Sequence, residues 1–154
     1  MADERLTEFI ERLRRVLGEN LWGAVLFGSR ARGDADASSD YDIFIIADSL
    51  PQRPIERQEF IVRRVRGTHG LSIIAKTRHE FESAFPSLYL DIAQDGRVLY
   101  DQAGYTAARL AQIKKLTEEA GLRRKKTGYG FNWAWKSRPG RKWRIDWTGV
   151  YGIV

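Results

Sequence analysis

The sequence predicts a mixed α/β (α+β) fold, with a short mixed β-sheet, helices mainly on one face of that sheet, and a C-terminal tail that resembles a β-hairpin. Two patterns support this prediction. Short apolar runs of strand length alternate with segments whose apolar residues recur every three or four positions, which is typical of helices packed on a sheet. The last part of the chain instead places aromatic residues at every second position, which is typical of strands.

The elements follow in order along the chain. The first helix has a regular apolar face and ends at Gly18, and the strands are short runs rich in β-branched and aromatic residues. Thr77, with Glu80 three residues later, fits a helix capping box. Helices are predicted over residues 3–17, 55–65, 87–93 and 106–120, and strands over residues 21–27, 41–47, 71–75 and 97–101.

The composition limits the class of protein. A chain of 154 residues can form one domain with a substantial core. The absence of cysteine excludes disulfides, thiolate metal sites and cysteine nucleophiles. No apolar run approaches the roughly 20 residues that a membrane span requires, and the charged start does not resemble a signal peptide. We therefore expect a cytoplasmic protein without membrane contact.

Charge divides the chain into two parts. Residues 1–103 contain 14 Lys and Arg against 17 Asp and Glu, whereas residues 104–154 contain 12 against three. We expect a main domain over 1–103 and, packed on it, an extension over 104–154 that consists of a helix and a basic aromatic hairpin. The aromatic residues of 129–135 and 143–147 flank a Pro-Gly turn, which predicts two strands paired around that turn. The basic residues 123–126 are predicted to form a solvated loop.

A glycine–serine turn ends the first predicted strand. Gly28 has no Cβ, so the backbone can turn tightly there and a ligand can approach it. Ser29 adds a hydroxyl group, and the following residues 30–33 predict a short helix whose N-terminus favours an anion such as phosphate. For an isolated Gly-Ser pair, a simple strand-to-helix turn is the alternative.

Two acids stand at the start of the second predicted strand. Asp40 and Asp42 are two residues apart, so on a strand they face the same side, about 7 Å apart along the backbone. Two like charges this close repel each other unless a cation lies between them. Carboxylate oxygens suit Mg²⁺ or Mn²⁺, and paired ions about 4 Å apart can clamp a transferring phosphoryl group. The alternative is two solvated loop acids.

The stretch "GSRARGDADASSDYD" resembles the signature of the DNA polymerase beta-type nucleotidyltransferase superfamily, and is most similar to the small stand-alone members called minimal nucleotidyltransferases. The resemblance implies the nucleotidyltransferase fold, a Mg²⁺ (or Mn²⁺) cofactor and a nucleoside triphosphate, with ATP the expected one. It implies that Gly28 and Ser29 hold the β- and γ-phosphates, and that Asp40 and Asp42 are the metal-binding and catalytic acids.

The resemblance also places three further residues near the nucleotide. Arg30 and Arg32 lie in the same loop, where they either help with the phosphate charge or lie on the surface. Ser39 is expected to orient the loop.

Active members usually carry a third carboxylate on a later strand, which completes the ion that activates the attacking hydroxyl. Ser72 occupies that position here, and its neutral hydroxyl is a poor Mg²⁺ ligand and a poor base. His69, in the preceding turn, and Asp91 are the remaining candidates for a base, although a lone turn histidine is more often solvated.

Three functions remain open at this point. The favoured one is a nucleotidyltransferase whose catalysis is weakened by the missing third carboxylate. The first alternative is a catalytically degenerate nucleotide- or partner-binding protein, such as the antitoxin-like partner of a HEPN-type protein. The second is a nucleic-acid-binding module that uses the tail, in which exposed tryptophans stack on bases while Lys and Arg contact phosphates. If those tryptophans pack against the main domain instead, this last function loses its support.

Overall fold

The computed structural model describes residues 2–128 and 130–153, and no helix in this part of the chain is long and apolar enough to cross a membrane. The α-helices are α1 (Ala2–Leu17), α2 (Ser29–Arg32), α3 (Arg57–Arg64), α4 (Arg78–Ser83), α5 (Ser87–Asp95) and α6 (Tyr105–Ala120). The strands are β1 (Leu21–Phe27), β2 (Tyr41–Ala47), β3 (Leu71–Lys76), β4 (Arg97–Asp101), β5 (Leu122–Thr127), β6 (Gly130–Trp135), β7 (Lys142–Asp146) and β8 (Gly149–Ile153).

The central sheet has four strands in the order β3-β2-β1-β4. Strand β1 runs antiparallel to both β2 and β4, whereas β2 and β3 are parallel. The sheet is therefore mixed, and the predicted fold class is confirmed. The predicted bounds of the first two strands, 21–27 and 41–47, are those that the structure shows.

The helices cover both faces of the sheet, rather than mainly one face as predicted. On one face, α1 and α3 pack against Ile43 and Ile45 of β2. On the other face, α4, α5 and α6 pack against Val25 of β1 and Phe44 of β2. The reason is visible in the strands themselves, because β1 and β2 are almost continuously apolar and such strands are buried on both sides.

The outer edge of β3 is closed by two side chains of α3. Arg57, only 3% exposed, donates hydrogen bonds to the Ala75 carbonyl (3.1 Å) and to the Glu80 carboxylate (2.6 Å). The Gln58 side-chain carbonyl accepts a hydrogen bond from the Ile73 amide (3.4 Å). These contacts satisfy backbone groups that an edge strand would otherwise present to a neighbouring chain.

The tail contains two hairpins instead of the predicted single one. Strand β5 pairs antiparallel with β6, and β7 pairs antiparallel with β8, so the predicted pairing around the Pro-Gly turn is wrong. The predicted loop at residues 123–126 is also wrong, because these residues lie in β5. Only two residues separate the strands within each pair, whereas six separate β6 from β7, and two-residue loops favour hairpins. Tyr129, the first predicted aromatic of the tail, lies outside the described residues.

Two tryptophans fasten the tail to the helices under it. The Trp147 indole N–H donates to the carbonyls of Phe81 (3.0 Å) and Ala84 (2.9 Å), and its ring packs on the core beneath. The Trp133 indole N–H donates to Asp91 (3.0 Å) on α5. Both side chains therefore pack against the main domain, which was the alternative to a base-stacking role.

Candidate active site

Three strand ends meet at one edge of the sheet. Asp42, at the start of β2, pairs in register with Phe27, the last residue of β1. On its other side, Asp42 pairs with Ser72 near the start of β3. The Gly-Ser turn, the acidic pair and the position of the expected third acid therefore lie side by side.

Gly28 is packed against the Asp42 carboxylate. Its backbone has φ 73° and ψ −158°, a conformation that residues with a side chain rarely adopt. A Cβ added at Gly28 would lie only 2.3 Å from Asp42 Oδ2. Glycine is thus required here twice, for the turn and for the close approach of the carboxylate. The turn brings Ser29, the next residue, to the same edge.

Helix α2 begins immediately at Ser29. The amides of Ala31 and Arg32 donate to the Gly28 carbonyl, and Gly33, with φ 86°, ends the helix after one turn. The short helix predicted after Gly28 is therefore present. The first amides of α2 are those of Ser29 and Arg30, and as in any helix they have no carbonyl partner within the helix. They lie at the sheet edge occupied by Asp42.

The two acids differ in exposure. Asp40 is exposed, whereas Asp42 is half-buried. The pKa of Asp42 is raised above its ordinary value, first because burial disfavours the charged form and second because the Asp40 carboxylate repels it. The Arg32 charge acts in the opposite direction. A half-buried carboxylate beside a like charge is stabilised when a cation binds between them.

The donor atoms at this edge fit Mg²⁺ or Mn²⁺ as ligands, because Asp40 and Asp42 supply the hard carboxylate oxygens that these ions prefer. Within residues 2–128 and 130–153, no cluster of three or more His, Cys, Asp or Glu side chains could hold a metal ion. Two carboxylates alone leave most positions of an octahedral ion to other oxygens, such as those of phosphate.

Ser72 lies on the same face of the sheet as Asp42. Phe44, two residues beyond Asp42, packs on the α4–α6 side, so Asp42 points to that side too. Residues in register on neighbouring strands share a face, which places the half-buried Ser72 beside Asp42. The structure thus pairs Ser72 with Asp42, as expected from the sequence.

Arg30 and Ser39 close the loop between α2 and β2. Arg30 donates to the Ser39 carbonyl from Nε (3.2 Å) and Nη2 (2.9 Å), and its guanidinium lies 4.5 Å from the centre of the Tyr41 ring. The Ser39 hydroxyl accepts a hydrogen bond from the Asp36 amide (3.1 Å). Arg30 is thus engaged within the loop that carries the acids.

Arg32 links the loop to the end of α5. Its Nε donates to Asp34 (3.1 Å) and its Nη1 donates to Asp95 (3.2 Å) at the end of α5. Sequence reasoning missed Asp95 as a neighbour of this loop. In the sequence, Asp95 is only a charged residue just before the glycine that ends α5. That position does not indicate a partner 63 residues away.

The other candidates for a base make no described contact with the acidic pair. His69 is exposed in the turn before β3. Asp91 accepts a hydrogen bond from Trp133 and lies 3.7 Å from Arg124. Neither residue is joined by the described contacts to Asp40 or Asp42.

Comparison with known proteins agrees with this geometry. The family model described as "Polymerase beta, Nucleotidyltransferase" matches residues 11–104. The protein MJ1305 of Methanocaldococcus jannaschii, a candidate protein adenylyltransferase, is 31% identical over 124 residues, which cover 75% of this chain and 83% of MJ1305. A second candidate protein adenylyltransferase of that organism, MJ0141, is 38% identical over 58 residues, covering 38% of this chain and 58% of MJ0141.

Solved structures show the same fold. A toxin–antitoxin structure with AMP-PNP superposes with a TM-score of 0.52 at 18% identity, covering 73% of this chain and 86% of that one. A complex of the tri-AMPylated Shewanella oneidensis HEPN toxin with an MNT antitoxin gives a TM-score of 0.51 at 16% identity, covering 77% and 87%. The chain therefore belongs to the polymerase beta nucleotidyltransferase family, as a minimal nucleotidyltransferase.

Proposed function

We propose that the protein binds a magnesium–nucleoside triphosphate and transfers its nucleoside monophosphate to a hydroxyl group of a partner protein. The observation that carries this proposal is the contact of Gly28 with Asp42 at the edge where Ser72 follows in register. This contact supports the proposal, because the turn that would bind phosphate packs against Asp42, one of the two acids that would bind the metal. The two parts of the predicted site are therefore close enough to act on one triphosphate.

Each residue of the site has a role in this proposal. The Ser29 hydroxyl and the first amides of α2 bind the β- and γ-phosphates. Asp40 and Asp42 hold Mg²⁺, which neutralises the phosphate charge that develops during the transfer. Arg30 keeps the loop closed by its two hydrogen bonds to the Ser39 carbonyl.

At phosphorus the reaction forms one bond and breaks one. The acceptor oxygen bonds to the α-phosphorus, the bond from that phosphorus to the bridging oxygen breaks, and pyrophosphate leaves. The O–H bond of the acceptor also breaks, and its proton passes to solvent water, because Asp40 and Asp42 hold the metal and Ser72 is neutral. Because Ser72 is neutral, we expect the transfer to be slower than in members that carry an acid there.

The acceptor class and the nucleotide are inferred from the relatives. MJ1305 is named for protein adenylyltransfer, and the Shewanella complex holds an AMPylated HEPN toxin beside its antitoxin. These support ATP as the nucleotide and a protein hydroxyl as the acceptor. A HEPN-type protein encoded by a neighbouring gene is the first partner to test.

The test is incubation with labelled ATP and Mg²⁺ or Mn²⁺, with and without the neighbouring gene product. We expect label on the partner protein that disappears in Asp42→Asn. Ser38→Ala, in the exposed part of the same loop, is the control variant and should keep the transfer. Absence of both label transfer and magnesium-dependent ATP binding would contradict the proposal.

A binding-only role is the second candidate, and Ser72 is the observation that favours it. If the neutral Ser72 abolishes transfer, the protein still binds the magnesium–nucleotide and its partner. Magnesium-dependent ATP binding without any labelled product would indicate this function.

The nucleic-acid role is less well supported, because the Trp133 side chain lies on the face of the first tail hairpin that packs on α5, whereas Arg123 and Lys125 lie on the opposite face.

A further inference from the structure

A nearly buried carboxylate joins the nucleotide loop to the first tail hairpin. The Asp95 side chain, 6% exposed, accepts two hydrogen bonds from Arg124 of β5, at 2.6 and 2.9 Å. It also accepts one from Arg32 of α2, at 3.2 Å. The hairpin and the phosphate-binding turn, far apart in sequence, therefore share one negative charge.

One aromatic ring forms a second link between the same two arginines. The Arg124 guanidinium lies 4.2 Å from the centre of the Phe131 ring, and the Arg32 guanidinium lies 4.8 Å from it. Cation–π contacts of this kind favour defined positions of both side chains. Phe131 and Asp95 together hold Arg32 from the side of the hairpin.

Arg32 retains the means to contact a phosphate. Its Nε and Nη1 atoms are used by Asp34 and Asp95, and Nη2 makes no hydrogen bond within residues 2–128 and 130–153. Arg32 is the last residue of α2, the one-turn helix that begins at Ser29, and its amide donates to the Gly28 carbonyl (3.0 Å). The Arg32 side chain therefore extends from the turn that would hold the phosphates.

We propose that Arg124 is a positioning residue for the nucleotide: by neutralising Asp95 and packing on Phe131, it keeps Arg32 directed at the triphosphate. This inference rests on the proposed function. Arg124 takes both carboxylate oxygens of Asp95 in a two-point contact, which is the strong form of this ion pair. Without Arg124, the nearly buried Asp95 charge has Arg32 as its remaining close partner, so it draws Arg32 away from the phosphates.

The test is a double-mutant cycle on the Kd for Mg-ATP, measured by calorimetry on the full chain. Arg32→Gln and Arg124→Gln should each weaken binding by about fivefold or more. The double variant should bind no more weakly than Arg32→Gln alone, because Arg124 acts through Arg32. The matched control is Arg123→Gln, which removes the same charge from the opposite face of β5 and should leave the Kd within about twofold.

A conservative variant separates positioning from stability. Arg124→Lys keeps the charge but loses the two-point contact, so it should give a Kd between those of the native protein and Arg124→Gln. This variant also serves if Arg124→Gln does not fold, as judged by its melting transition. Equal Kd values for Arg124→Lys and the native protein would overturn the inference.

Other outcomes distinguish this inference from the proposed function. Losses in Arg32→Gln and Arg124→Gln that simply add, or an Arg124→Gln variant that behaves like Arg123→Gln, would overturn the positioning role while leaving the proposed function intact. An unchanged Kd in Arg32→Gln would do the same. A native protein that does not bind Mg-ATP would overturn both.

Discussion

At the scale of single residues, we expect Ser72 to limit how far the site goes beyond binding. Its register opposite Asp42 means that an acid at this position would join the acidic pair on one face. Ser72→Asp should therefore raise the transfer rate by about 100-fold or more, the usual contribution of a general base. The measurement is the rate of label transfer from ATP at saturating Mg²⁺.

Ser72→Asn is the matched control, because it has nearly the same size as aspartate and no charge. It should leave the transfer rate at or below the native level. Fast native transfer that Ser72→Asp does not improve would show that another group, within the chain or on the acceptor protein, removes the proton.

The ionised Asp42 carboxylate should lower the free energy of unfolding when no cation is bound. Its raised pKa means that the folded protein binds this proton more tightly than the unfolded chain does, so the ionised form destabilises the fold. Asp42→Asn should therefore melt at a higher temperature than the native protein at pH 7 in EDTA. The difference should shrink as the pH falls through the raised pKa, and vanish below the ordinary aspartate value of 3.8.

Added Mg²⁺ and ATP should reverse the order of the two melting temperatures, because a ligand that binds the folded state stabilises it and only the native protein retains the site. An Asp42→Asn variant that melts lower than the native protein in EDTA at every pH would contradict the prediction.

At the scale of the elements, the four tryptophans of the tail differ in what they contribute. The Trp147 ring lies 5.0 Å from that of Phe81 and 5.1 Å from that of Phe85, and its N–H is bonded to two carbonyls. Trp143 is 48% exposed and meets mainly Trp135, with ring centres 4.7 Å apart. Trp147→Ala should therefore lower the free energy of unfolding by about 3–5 kcal/mol.

Trp143→Ala is the control in chemical denaturation, with an expected loss of about 1 kcal/mol, the value of an exposed aromatic pair. Trp133→Ala should fall near Trp147→Ala, because it removes the hydrogen bond to Asp91. Equal losses for Trp143→Ala and Trp147→Ala would show that the tail is not fastened by Trp147.

Elements whose signals are local could be predicted from the sequence. The capping box is present as expected, since Thr77 Oγ1 accepts from the Glu80 amide and the Glu80 carboxylate accepts from the Thr77 amide. The pairing of the tail strands could not be predicted, because period-two alternation indicates a strand but does not indicate which other strand it pairs with. The sequence predicts a loop at residues 123–126 because all four residues are charged, whereas in the structure they lie in β5 and Arg124 faces inwards towards Asp95.

The same limit applies to the site. The approach of Gly28 to Asp42 follows from two neighbouring strands joined by one loop, so it could be anticipated. The link from Arg32 through Asp95 to Arg124 spans three elements brought together only by tertiary packing. No periodicity or spacing in the sequence encodes such a contact.

At the scale of the whole molecule, α6 belongs to the core, although the sequence assigns it to the extension. Its Leu110 and Ile113 are buried in the cluster that also contains Val25 of β1. At the start of the helix, the Asp101 carboxylate accepts hydrogen bonds from the amides of Thr106 (2.8 Å) and Ala107 (3.0 Å). We therefore propose that the folding unit ends after α6, near residue 121, rather than at residue 103.

Two truncated chains test this boundary by thermal melting followed by circular dichroism. The chain 1–103 exposes the face of the sheet that α6 covers, including Val25, so we expect it to lack a cooperative transition. The chain 1–121 retains α6 and loses the contacts of the tail, among them those of Trp133, Trp147 and Arg124, so it should melt cooperatively at a lower temperature than the full chain. Because the acidic pair lies on the α4–α6 side of the sheet, 1–121 should retain weak magnesium-dependent ATP binding. A cooperative transition in 1–103 at the melting temperature of 1–121 would place the domain boundary before α6. It would show that the sheet does not need α6 in order to fold.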